Sequence, residues 1–174
     1  MKNSTKKTSP EKTIFAWPKK NQLFTLLLCL LIPILAGVIG SRFTLPAIDG
    51  RYLTLIKPAF TAPNRVFGPV WSILFLLMGV SLFLVSKNGI QEEDKPAMRY
   101  FVIQLFLNIL WSILFFYLQN PLLAFIEIIV FWIFILVTAY EFGKIHKRAG
   151  WLFLPYILRV TFAAVLNYAV MMLN

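Results

Sequence analysis

Long apolar stretches alternate with short polar connections along this chain, and the stretches outrun the elements of a soluble core. Five of them, 21–41, 69–85, 100–118, 122–142 and 152–173, fill most of the sequence. A hydrocarbon layer about 30 Å thick takes about 20 helical residues to cross, at about 1.5 Å each. Each stretch meets or nearly meets that length. Lipid supplies no water to backbone amides, so such stretches must be helical. The pattern predicts an all-α integral membrane protein, a bundle of five transmembrane helices with a long ordered loop between the first two. The connection Gln119, Asn120, Pro121 is so short that the third and fourth helices must be antiparallel neighbours. Pro121 suits the first turn of a helix, where its missing N–H costs nothing.

Composition sharpens this picture. Only 14% of residues are charged, against about 25% in typical soluble domains. The net charge of +10 is uneven, with Lys2, Lys6, Lys7, Lys12, Lys19 and Lys20 all ahead of the first stretch. Residues 1–20 read as a basic, disordered tail suited to anionic headgroups, and 21–174 as the membrane domain. No helix carries a continuous basic face, which argues against nucleic acid as a partner. With the amino terminus inside, the tail, Lys87, Lys95, Arg99, Lys144, Lys147 and Arg148 share one side. Only Arg42, Arg51, Lys57 and Arg65 lie on the other. That bias predicts a cytoplasmic amino terminus in a bacterial-type cell membrane. The first stretch is too long for a signal peptide core and no A-x-A site follows, so it reads as a retained helix.

Conventional catalytic and metal chemistry is sparse. Cys29 is the only cysteine and sits in the first apolar stretch, so no intrachain disulfide can form. His146 is the only histidine and falls in a connection. No metal site and no obligatory cofactor is expected. Arg159 and Glu127 are charges deep within apolar stretches, and such residues usually face an interior cavity. Counting along the helices separates them by about 12 Å, which makes a direct ion pair marginal. Ala36-x₃-Gly40 on the first helix offers a small-residue face for an internal or dimer contact.

The segment 42–68 is the one long connection on its side of the membrane. Pro46, Pro58 and Pro63 stiffen it, and Leu53, Leu55, Ile56, Phe60 and Phe67 can pack. Disordered linkers lack such anchors. It reads as an ordered cap over the bundle, with a short helix at 52–56.

Here the sequence resembles the TspO/MBR family, the bacterial tryptophan-rich sensory proteins and the mitochondrial translocator protein. Tyr52, Leu55, Lys57, Pro58, Pro63, Phe67, Pro69, Val70 and Trp71 match the family's first-loop pattern, and Leu77, Met78 and Gly79 continue it. Gln104, Asn108, Trp111, Phe115 and Phe116 match its third helix. Pro155, Tyr156, Phe162, Ala163, Leu166, Asn167 and Tyr168 match its fifth. The resemblance implies a pocket beneath the first loop for porphyrin, haem-type tetrapyrroles and benzodiazepine or isoquinoline ligands. It implies a receptor, sensor or carrier, with a porphyrin-degrading enzyme or a tetrapyrrole transporter as alternatives. By position it implies that Ser41, Thr44, Phe67, Gly68, Trp71, Ala163 and Leu166 line the pocket. Asn108 and Trp111 match motif positions that organise the bundle, and with Leu123 they are expected at the ligand site as well. Leu123 and Arg159 stand where the family often has Trp. Some bacterial members are linked to light-driven porphyrin breakdown through pocket tryptophans. Trp71 matches one of those and Arg159 replaces the other, so catalysis is not expected. Homodimers are discussed for the family, and a homodimer remains an option here.

The residues themselves add one chemical reading. A tetrapyrrole presents a broad apolar face and two carboxylates, so its site needs aromatic walls and cations at the rim. Trp71 and Phe67 can supply walls. Arg51, Lys57 and Arg65 can meet carboxylates through charge-assisted hydrogen bonds. Arg159 is expected to face the pocket as a positive floor.

Overall fold

The computed structural model describes residues 13–15, 22–48, 55, 56, 58, 61 and 64–174. Among these, five helical spans are long and apolar enough to cross a bilayer. The first is α1, Gln22–Ile48. It runs seven residues past the apolar stretch, carrying Pro33 and Pro46 within it. Part of the expected loop is thus helix. Hydroxyls near this end of α1 bond back to their own helix, Ser41 Oγ to the Val38 carbonyl at 2.7 Å and Thr44 Oγ1 to that of Gly40 at 3.1 Å.

A 3₁₀ turn at Asn64–Val66 leads into α2, Phe67–Ser86. At the far end of α2, Gly89 adopts a φ of 94°, which a side chain would resist. The two-residue strand β2, Ile90–Gln91, follows. It pairs antiparallel with β1, Thr13–Phe15, drawn from the tail. The tail is therefore not wholly without regular structure, and its remainder lies outside the described residues. Asp94 then accepts a hydrogen bond from the Gln91 amide at 2.9 Å, part of a capping box on the 3₁₀ turn Glu92–Asp94 that leads into α3, Lys95–Ser112.

The helix of α3 widens into a π turn at Ile113–Tyr117 before the chain reverses. Gln119 takes a φ of 54° in that reversal. The Asn120 side chain accepts the Leu123 amide at 3.0 Å, capping α4, Pro121–Ile145. Pro121 opens the helix as its missing N–H allows. The last span has two pieces, α5 at Lys147–Trp151 and α6 at Leu154–Leu173.

Aromatic stacking and small residues hold the spans together. Phe101 of α3 stacks on Phe142 of α4 at 5.5 Å, and Phe153 meets Phe142 edge-on at 5.6 Å. A Cβ on Gly150 would sit 2.8 Å from the Ala139 carbonyl, so α5 can approach α4 only because glycine stands there. Ala36 and Gly40 are both buried, and Gly40 faces Ser112 of α3. That small-residue face serves an internal contact.

Described parts of the loop are anchored. The Asn174 side chain accepts the Ile56 amide at 3.1 Å and donates to the Ile56 carbonyl at 3.1 Å. Thr61 donates from both its amide and its hydroxyl to the Pro58 carbonyl. Leu55 packs against the core. Leu55 and Ile56 belong to no helix, and the remainder of the expected helix at 52–56 lies outside the described residues.

Candidate functional site

A cavity of about 680 Å³ lies between α1, α2 and α3 in the half of the bundle nearest the loop. That volume falls in the range of about 300–1,000 Å³ typical of small-molecule sites. Trp71 and Phe75 of α2 and Trp111 of α3 give it buried aromatic walls. Thr44, Asn108 and Ser112 add buried polar atoms. Arg65, exposed in the turn before α2, stands among the lining residues as a cation at the rim.

A chain of polar side chains fixes the floor. Asn108 donates to the Tyr156 hydroxyl at 3.1 Å, and that hydroxyl donates to Gln104 Oε1 at 3.3 Å. Trp111 Nε1 donates to Asn167 Oδ1 at 3.2 Å, while Asn167 Nδ2 donates to the Pro121 carbonyl at 2.8 Å. These bonds tie α3 to α6 and to the start of α4. They also lock the Trp111 ring, whose face stacks on Phe115 at 5.2 Å. Trp71 meets Tyr156 edge-on at 6.1 Å. Among the described residues, no group of three or more His, Cys, Asp or Glu gathers as a metal site. The cavity's means of holding a ligand are therefore aromatic faces, hydroxyls and a rim guanidinium.

Of the residues expected at the site, Ser41, Thr44, Gly68, Trp71, Asn108, Trp111 and Arg65 do come together around the cavity. Arg51, Lys57 and the Phe67 side chain lie outside the described residues. Four others stand elsewhere. Leu123 is exposed at the start of α4. Ala163 is buried in the core and Leu166 packs against it, and neither is among the residues lining this cavity. Arg159 is not among the lining residues. Its guanidinium lies 5.9 Å from the Trp71 ring and 5.5 Å from that of Phe162, within cation–π range of both. It forms no ion pair within 4 Å with Glu127. Both Glu127 oxygens are buried without a hydrogen-bond partner.

Gly37, Phe75 and Ser112 line the cavity and were missed. Each lies four residues from an expected one, namely Ser41, Trp71 and Asn108. Helical spacing alone would have found them.

The TspO/MBR family profile matches residues 29–173 of this chain. A tryptophan-rich protein TspO of Chlorobaculum tepidum is 39% identical over 154 residues, covering 88% of this chain and 98% of that one. Another from Archaeoglobus fulgidus is 41% identical over 138 residues, covering 79% and 89%. The translocator protein of Sus scrofa is 30% identical over 142 residues, covering 80% and 84%.

Proposed function

This chain belongs to the TspO/MBR family of multi-pass membrane proteins, and we propose that it is a receptor or carrier for tetrapyrroles and similar flat hydrophobic molecules. One observation carries the reading: a cavity of about 680 Å³ walled by Trp71, Phe75 and Trp111 has the Arg65 guanidinium at its rim. Aromatic faces suit a planar apolar macrocycle, and a guanidinium pairs with a carboxylate through two parallel hydrogen bonds. Free porphyrin fits this chemistry best, or haem held by its edges, because the one histidine lies at the junction of α4 and α5, away from the cavity. The distribution of Lys and Arg supports a cytoplasmic amino terminus and, with it, a cavity in the outward-facing half of a bacterial cell membrane.

Titration of purified protein with protoporphyrin in the dark tests the reading. Saturable tryptophan quenching with a shifted Soret band is expected, and no saturable change would overturn it. Repeating the titration under illumination separates binding from chemistry, because degradation would bleach the Soret band and yield a new absorbing product.

A further inference from the structure

We propose that the cavity opens sideways into bilayer hydrocarbon through the α1–α2 seam and that its resident occupant is a phospholipid, one acyl chain inside and the phosphate at Arg65. The proposal adds a native occupant and a route to the ligand site proposed above, and rests on the same cavity.

Two glycines set the geometry. A Cβ on Gly79 of α2 would lie 2.7 Å from the Leu30 Cα and 3.0 Å from the Cys29 carbonyl oxygen. A Cβ on Gly37 of α1 would fall within the Phe75 ring. The two helices are therefore in intimate contact through their middles and toward the tail end. Toward the loop end the cavity lies between them, lined by Val38, Ser41 and Leu45 of α1 and by Gly68, Ser72 and Leu76 of α2, and a Cβ on Gly68 would meet open space. That space between the helices is the cavity's mouth. Its rim is made of outward-facing side chains. Val38 and Leu45 on α1 are 50% and 61% exposed, and Leu76 on α2 is 45% exposed. All three also line the cavity, whose deep walls Trp71, Phe75 and Trp111 are at most 9% exposed. In a membrane such a rim meets acyl chains.

Water is a poor occupant. The hydroxyls of Ser41, Thr44, Ser72 and Ser112 are each donated to a carbonyl of their own helix. Those hydroxyls can still accept, but their protons are committed and the walls between them are apolar, so a water finds fewer donors there than in bulk. An empty apolar space forfeits dispersion contacts on every wall. A methylene chain restores them. Arg65 stands at the mouth, in the turn where α2 begins and headgroups are expected. Its planar fork matches phosphate.

The test reconstitutes the full chain in vesicles containing a phosphatidylcholine with a diazirine late in one acyl chain. Irradiation, digestion and mass spectrometry then map the adducts. Expected are adducts on the deep walls Trp71, Phe75 or Trp111 as well as on Leu76, and none on Phe131, a core residue 1% exposed that does not line the cavity. Arg65→Gln should cut deep-wall labelling by roughly tenfold, the scale of one charge-assisted hydrogen bond. Adducts confined to outward-facing positions would overturn the proposal. So would deep labelling seen only with a diazirine fatty acid, which would make the head a carboxylate. Deep labelling with no porphyrin binding supports the lipid site and defeats the ligand reading, whereas porphyrin binding with no deep labelling does the reverse.

Discussion

Single residues decide what the cavity can hold. Arg65 is the described cation among its lining residues, and its value should show only toward acids. Arg65→Gln is expected to weaken protoporphyrin by about tenfold or more, since hydrogen bonds to charged groups contribute about 1.5–3 kcal/mol. The dimethyl ester, which has no carboxylate to offer, should bind both forms alike; parallel quenching titrations distinguish the two. Gly37 acts by what it lacks. In Gly37→Ala the new methyl must displace the Phe75 ring, and overpacking of this kind costs about 1–3 kcal/mol. Bulky ligands should lose affinity in this variant before small ones do, as a series of graded ligand size would reveal. Glu127 runs the opposite way. A buried carboxyl with no partner destabilises the fold that contains it. Glu127→Leu is expected to raise the melting temperature in detergent, by an amount corresponding to about 1–3 kcal/mol. An unchanged or lower value would mean that the carboxyl is held by something other than the protein's own groups.

At the scale of elements, the described part of the loop is coupled to the end of α6. Two hydrogen bonds join the Asn174 side chain to the backbone of Ile56. Asn174→Ala should speed amide exchange around Ile56 and raise the rate of ligand release while leaving the helices protected. Hydrogen exchange with and without ligand would measure both. Most of this architecture was legible beforehand, because apolar stretches of spanning length admit only helices. What escaped depends on partners that the local sequence does not show. The extension of α1 through Arg42 and Pro46 to Ile48 crosses residues that read as loop. The strand at Thr13–Phe15 needs Ile90 and Gln91, more than seventy residues away, to exist at all. Site residues divide in the same manner. Depth along a helix can be counted, and Trp71, Asn108 and Trp111 do line the one cavity together. Direction around the helix is set by packing, which sets the Arg159 guanidinium 5.9 Å from the Trp71 ring and packs Ala163 and Leu166 in the core.

The molecule as a whole is a bundle fastened tightly at its tail end, with the cavity toward its loop end. Gly79 brings α1 against α2, and Ser81 donates to the Ala149 carbonyl at 2.8 Å to tie α2 to α5. The cavity occupies the opposite half. Ligand binding should therefore stabilise chiefly the loop end, and the tail end should change little in exchange protection when protoporphyrin is added. The fastened end also holds Cys29, which is 2% exposed with its sulfur 3.5 Å from Ser86 Oγ. Because it is the chain's sole thiol, it comes as a ready-made reporter of breathing. Alkylation by a membrane-permeant maleimide can proceed only in the moments when the two helices separate there. The labelling half-time would thus clock those excursions in the native protein, with no engineered probe.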